Sequence, residues 1–360
     1  MEPLKEMFNK AYYQKLALHV TKIYPAFNDK TFIKDVTHNL DSFSLNQRLR
    51  NTSVALQKHL PNNYKKSVSI LYDVAPLMPN GYTNLVCPDF VSLYGHDDFK
   101  LSMEALHYFT KFGSSEFAIR EFIKRDANQT LQVMKKWAGD KNHHVRRLAS
   151  EGSRPRLPWS FKLDEIIKNP KLTAPILEQL KEDDELYVRK SVANHINDFT
   201  KDNKEFALQL VSQWNLKNEH SAWIVKHACR NLIKQGDANA LALFNISKNV
   251  KIAIQNFKLK SNDVKLGNAL EFSFDVVSEK NATQKLVVDY IIHYRKKLGD
   301  LSPKVFKLVN INLPANANQT ITKKQVLKDF TTRKHYFGEH FVEIQVNGVK
   351  LAKKKFMLTN

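Results

Sequence analysis

Cysteine is scarce in this chain: only Cys87 and Cys229 occur in 360 residues, far apart and outside any CxxC spacing. That argues against a disulfide scaffold or a thiolate zinc module and fits a reducing cytoplasm. Long apolar runs are missing as well. No stretch approaches the roughly 18 uninterrupted apolar residues of a membrane-spanning helix, so insertion into a bilayer is not expected. The opening Met1-Glu2-Pro3-Leu4-Lys5-Glu6 lacks a basic segment followed by an apolar one, and no signal peptide is expected. Acidic side chains are the third shortage. Against 56 Lys and Arg stand 36 Asp and Glu, leaving +20. A surplus of that size points to a polyanionic partner, either nucleic acid or an acidic membrane surface.

What is present reads as two regimes. The hydrophobic and charged fractions, 42% and 26%, are those of a globular protein, and the length suffices for two or three cores. Up to residue 249, helical periodicity dominates, as in Phe206-Ala207-Leu208-Gln209-Leu210-Val211. From residue 250 to 360, alternation takes over. Leu270, Phe272, Phe274 and Val276 are separated by Glu271, Ser273 and Asp275, the pattern of a half-buried strand. Val342, Ile344 and Val346 repeat it, and Asn347-Gly348 supplies the positive φ angles of a type I′ turn before the chain returns through Leu351 to Leu358. About seven such segments predict an immunoglobulin-like sandwich, here without an inter-sheet disulfide because no cysteine follows residue 250. The fold class is therefore α plus β: a helical solenoid, residues 1–249, followed by a sandwich, residues 250–360. The second part holds 20 Lys and Arg against 9 Asp and Glu, a surplus of 11.

A weak repeat runs through the helical part. Val145-Arg146-Arg147-Leu148-Ala149, Val188-Arg189-Lys190-Ser191-Val192 and Val225-Lys226-His227-Ala228-Cys229 align at offsets of 43 and 37 residues. Those offsets lie near the two-helix HEAT period. Stacked repeats place equivalent positions in a column, so Arg146, Arg189 and Lys226 are expected to form a basic ladder flanked by Arg147, Lys190 and His227 and extended by Arg230. A single exposed arginine only solvates a helix face. Recurrence at one repeat position in a chain of +20 favours a phosphate-binding groove.

The most unusual segment is His143-His144-Val145-Arg146-Arg147-Leu148-Ala149-Ser150-Glu151-Gly152-Ser153-Arg154-Pro155-Arg156-Leu157-Pro158-Trp159. A helix is expected to end at Gly152 as its C-cap, followed by a stiff loop carrying Arg154, Arg156 and Trp159. Arg147 and Glu151, spaced i, i+4, are able to pair on one face. On spacing alone the segment reads as a helix salt bridge and a loop tryptophan filling a gap.

The same segment closely resembles the AlkC family of bacterial 3-methylpurine and 3-methylcytosine DNA glycosylases, relatives of AlkD in the HEAT-like superfamily. So do Tyr94-Gly95-His96-Asp97-Asp98-Phe99, Phe112-Gly113-Ser114-Ser115-Glu116-Phe117-Ala118-Ile119-Arg120, Tyr187 to Asp198, and Trp223-Ile224-Val225-Lys226-His227-Ala228. The strand-rich tail, through Ser302-Pro303-Lys304-Val305-Phe306-Lys307, looks like the Ig-like domain of part of that family. The resemblance implies hydrolysis of the N-glycosidic bond of N3-alkylated bases in duplex DNA, without base flipping, by a cytoplasmic, nucleoid-associated monomer with no cofactor, no metal and no obligate protein partner. Glu116, Glu151 and Asp198 are the implied carboxylates, with Asp198 the first choice for contact with the water or the oxocarbenium ion. Taken alone, Asp198 before Phe199-Thr200-Lys201 also reads as a helix-ending residue. Trp159 is implied to stack on the cationic base or the deoxyribose, an interaction worth about 1–2 kcal/mol. Arg147 orients Glu151 or holds a phosphate. In this reading Arg146, Arg154, Arg156, Arg189, Lys190, Lys226, His227 and Arg230 line the DNA groove, and the basic sandwich is a second jaw contacting DNA through Arg295-Lys296-Lys297, Lys323, Lys324, Arg333 and Lys334.

Two other classes compete. A HEAT–Ig module that grips nucleic acid without catalysis shares the charge and the repeats; a scaffold for acidic proteins shares the solenoid but not a steep salt dependence on DNA. A bifunctional lyase needs an amine near C1′. No lysine lies in the core motif, so a monofunctional enzyme is expected.

Overall fold

The computed structural model describes residues 3–330 and 334–360. Its described residues form sixteen α-helices followed by eight strands, grouped in two compact units, residues 1–228 and 229–360.

In the first unit the repeat positions are interior. Val145, Val188 and Val225 are all buried, in the helices His143–Glu151, Leu186–Asp202 and Glu219–Ala228. Each such side chain removed from water stabilises the fold by about 1.5–3 kcal/mol. The middle helix packs against both others and buries Val192, Ile196 and Phe199. Polar pins set its height. His195 Nδ1 meets the Ser150 carbonyl at 3.0 Å and Nε2 meets Thr173 Oγ1 at 3.2 Å, while Asn197 Nδ2 donates to the Ala228 carbonyl at 2.7 Å. Burial drives the His195 pKa down to about 3, so this pin is a neutral imidazole.

The arginines of the repeat are part of this packing. Arg146 Nη1 donates to the carbonyls of Asp140 and Lys141 at 3.0 and 3.1 Å, and Arg189 Nη1 donates to those of Asp183 and Asp184, both at 2.7 Å. Each arginine thus ties down the loop five and six residues before it. Arg146 also makes a two-pronged pair with Asp183 of the next repeat, Nε–Oδ2 2.6 Å and Nη2–Oδ1 3.1 Å. At these two recurring positions both arginines bind backbone carbonyls of the loop before their own helix, and Arg146 also joins its repeat to the next. At the third position Lys226 is exposed.

The second unit begins before the strands. Helical periodicity gives way to the first strand at Ile252, yet the helices Arg230–Gln235 and Ala238–Ala242 already group with the sandwich. Periodicity reports local conformation, whereas a helix belongs to whichever core it covers. The strands are β1 (Ile252–Leu259), β2 (Asp263–Lys265), β3 (Ala269–Ser278), β4 (Gln284–Arg295), β5 (Leu301–Leu313), β6 (Asn318–Val326), β7 (Gly338–Val346) and β8 (Val349–Thr359). They form one sheet of order β1-β3-β6 and another of order β2-β8-β7-β4-β5. Along β3, Leu270, Phe272, Phe274 and Val276 face the shared core with Tyr290, Ile292, Val342, Ile344 and Phe356, while Glu271, Ser273 and Asp275 do not. Asn347 and Gly348, at φ 47° and 81°, make the β7–β8 turn. A Cβ at Gly348 would collide with the backbone of Gly236, so glycine is required there for contact as well as for conformation. Gln345 Nε2 completes the join by donating to the Lys234 carbonyl at 2.8 Å.

Candidate functional site

Three carboxylates expected from the sequence converge within the first unit. Glu116 sits in the turn before the helix Ala118–Arg125, Glu151 ends the helix His143–Glu151, and Asp198 lies in the last turns of Leu186–Asp202. Asp198 therefore lies inside its helix and does not end it. Cations link the three in a chain. Arg147 Nη1 donates to Glu116 Oε2 at 2.7 Å and to Ser114 Oγ at 3.3 Å, and its Nη2 lies 3.7 Å from Glu151 Oε1. The i, i+4 contact is thus the weaker one, and the principal partner of Arg147 is remote in sequence. Arg154 Nη1 donates to Glu151 Oε1 at 2.7 Å and Arg154 Nε to Asp198 Oδ2 at 2.9 Å. Lys201 Nζ closes the chain on Asp198 Oδ1 at 2.9 Å.

Arg154, expected in the DNA groove, is 7% exposed and bridges two carboxylates. No lysine lies in the segment from His143 to Trp159, and Lys201 reaches the carboxylates from another helix, one turn after Asp198. Burial opposes the charge on both Arg147 and Arg154, yet the adjoining carboxylates outweigh it and hold both guanidiniums above their usual pKa. Three anions interleaved with three cations are tolerable in a desolvated site, where an unpaired charge is not. Glu116 and Glu151 each engage one oxygen in these contacts, and Asp198 engages both.

Aromatic groups border the chain. Trp159 is 66% exposed at φ 65°, a left-handed conformation that costs a non-glycine residue about 1 kcal/mol or more and marks functional loops. Its ring meets Tyr82 edge-on, 6.3 Å between centroids. Tyr187 lays its ring 4.4 Å from the Arg147 guanidinium. Beside Trp159 lies a cavity of about 200 Å³, lined also by Arg50, Asp89, Phe117 and Glu121.

The loop bearing Trp159 rests on Arg120. Fully buried, Arg120 donates from Nη1 to the carbonyls of Gly152 at 3.1 Å and Arg154 at 2.6 Å, and from Nη2 to that of Phe161. Burial and Arg154 pull its pKa down to about 10, against Asp198, Glu116 and Glu151. Gly152 does end its helix, but at φ −64° and ψ −30° it is right-handed. Glycine is needed there for room: a Cβ would strike Ile119 Cγ2. Tyr82, Tyr187, Arg120 and Lys201 were not singled out from sequence. Only Arg120 carries a signal, because it lies among Ala118, Ile119, Phe122 and Ile123 on the buried face of its helix.

The remaining expected contacts divide. Lys190 and Lys226 are exposed, Arg156 pairs with Asp202 at 2.6 Å, and His227 stacks on Trp223 with centroids 5.0 Å apart. Arg230 falls in the second unit. There Lys324 pairs with Glu271 at 3.2 Å, Lys323 lies 5.9 Å over the Tyr290 ring, and Lys334 is exposed. Arg333 lies outside the described residues. Among the described residues no group of three or more His, Cys, Asp or Glu is arranged to hold a metal ion, and no helix is long and apolar enough to cross a membrane.

Two family models match along the chain. The model for DNA alkylation repair enzymes covers residues 107–232, which includes every carboxylate and cation of the chain just described, and a model for the C-terminal Ig-like domain of the uncharacterised protein YhaZ covers 253–360. The class is thereby defined: a helical-repeat DNA alkylation repair protein that carries an Ig-like domain. The solved structure of Pseudomonas fluorescens alkylpurine DNA glycosylase AlkC, bound to DNA containing an abasic site analog, is 48% identical, covers 100% of both chains and superposes with a TM-score of 0.95. The uncharacterized protein YhaZ of Bacillus subtilis (strain 168) is 38% identical over 97% of each chain. This chain belongs to the AlkC family.

Proposed function

We propose that this chain is a monofunctional DNA glycosylase that hydrolyses the N-glycosidic bond of 3-methyladenine and 3-methylcytosine in duplex DNA, without extruding the base, as a monomer in the first step of base excision repair. The observation that carries the reading is the Glu116–Arg147–Glu151–Arg154–Asp198 chain beside an exposed Trp159. An N3-alkylated base is already cationic and leaves without protonation. What remains is to stabilise positive charge on the deoxyribose and to place water at C1′, work that carboxylates perform in glycoside hydrolysis. Glu116 and Glu151, each with one oxygen outside the ion pairs, are assigned the water. Asp198, with both oxygens engaged, is assigned electrostatic stabilisation. That assignment departs from Asp198 as the water contact. Trp159 offers its face to the cationic base or the sugar.

Lys201 is committed to Asp198, which supports hydrolysis over Schiff-base chemistry. Exposed Lys190 and Lys226, and Lys323, Lys324 and Lys334 of the second unit, are assigned to phosphates, whereas Arg146 and Arg189 are spent inside the solenoid. The test is release of free base from methylated duplex DNA under single-turnover conditions. Asp198→Asn and Glu151→Gln are each expected to slow release about 10²–10³-fold. A wild-type chain that releases neither base, and so matches Asp198→Asn, overturns the reading.

A further inference from the structure

We propose that Arg120 is a positioning residue for this reaction, a clip that holds the Gly152–Phe161 segment so that Trp159 stands beside the carboxylate chain; the inference rests on the glycosylase reading above. Trp159 is poorly anchored by its own side chain, which is largely exposed and touches the edge of Tyr82. Its left-handed backbone is uphill for a tryptophan and persists only where the surroundings over-determine it. Its own turn gives one support, the Ser160 N–H donating to the Leu157 carbonyl at 3.3 Å, and the longer-range supports converge on one guanidinium. Arg120 donates to the carbonyls of Gly152 and Arg154 on the near side of Trp159 and to that of Phe161 on the far side, and the Phe161 ring centroid lies 5.3 Å from its Cζ. A hydrogen bond between Leu163 N and the Pro155 carbonyl, 3.1 Å, closes the same loop from outside.

The acceptors of Arg120 are the backbone carbonyls of Gly152, Arg154 and Phe161, and among the described residues no carboxylate forms an ion pair with it. Burying a cation without a directly paired anion is costly, so a structural filler at this place would be apolar. An arginine is suited because one planar fork reaches three carbonyls at once, which a lysine ammonium on a single stem does not. Asp198, Glu116 and Glu151 offset part of that burial cost through space. The clip and the carboxylates therefore support one another.

Arg120→Lys is expected to slow base release about tenfold at saturating enzyme while leaving the Kd for duplex DNA within twofold. If Arg120 acts through Trp159, the same substitution in a Trp159→Ala background costs less than twofold. Independent, multiplicative losses overturn the proposal. A second measurement needs neither DNA nor activity. In protein labelled with 5-fluorotryptophan, the fluorine resonance of Trp159, assigned by its loss in Trp159→Phe, shifts or broadens in Arg120→Lys and in Arg120→Gln, while those of Trp137, Trp214 and Trp223 stay in place. An unmoved Trp159 line overturns the clip even in a protein that cleaves nothing, which separates its failure from that of the glycosylase reading. Collapse of all four lines in both variants assigns Arg120 to folding alone and equally overturns it.

Discussion

Replacing Arg154 by methionine tests the ion chain most directly. The side chain is nearly buried and contributes two charge-assisted hydrogen bonds, 2.7 Å to Glu151 Oε1 and 2.9 Å to Asp198 Oδ2. Methionine fills much of the volume but leaves two desolvated carboxylates, one retaining Lys201 and the other only a 3.7 Å contact with Arg147. Removing one partner of a buried pair costs about 3–5 kcal/mol. By contrast Arg156, paired with Asp202 in a more exposed place, is expected to cost about 1 kcal/mol or less when replaced by methionine. All four tryptophans lie between residues 137 and 223, so urea unfolding followed by tryptophan fluorescence reports the first unit. Base release measured on the same samples should fall about 10²–10³-fold. An Arg154→Met protein that loses less than 1 kcal/mol at pH 7.5 and keeps the wild-type rate of base release would refute the reasoning.

Other expectations follow from the same structure. Asp289 on β4 is 1% exposed, and among the described residues neither oxygen makes a well-formed hydrogen bond; burial pushes its pKa up to about 6, against the pull of Lys234, Lys307 and the nearby Gln345 amide. Folding therefore favours its protonated form, and stability is lost as pH rises from about 4 through 6, a cost approaching 3 kcal/mol at pH 8. Asp289→Asn should raise the calorimetric stability of the second unit at pH 8 by up to that amount and lose the advantage at pH 4; an equal effect at both pH values argues against a buried charge. Gly152→Ala is expected to cost about 1–3 kcal/mol by overpacking against Ile119, measured by the same fluorescence titration. Lys190→Ala and Lys226→Ala should weaken binding to random duplex about equally for every sequence, and each should reduce the salt slope of log K by about 1. An unchanged slope removes that lysine from the DNA surface.

Much of the architecture follows from local pattern. Alternation in Leu270–Val276, the Asn347-Gly348 turn and the buried valines at 145, 188 and 225 are each settled by neighbours a few residues away, because side-chain period and turn chemistry are local properties. The identities of Glu116, Glu151, Asp198 and Trp159 were legible through the family resemblance. Their arrangement was not. Arg154 and Arg146 look from sequence like any exposed arginine, and only folding shows that their partners lie 44 and 37 residues away. The same holds for Arg120, whose acceptors are more than thirty residues downstream. Charge pairing depends on distance in space, and a one-dimensional chain does not contain that distance. Helix, strand, turn and net charge were thus determined by the sequence alone; which cations neutralise the carboxylates, and which remain exposed, was decided by the tertiary structure.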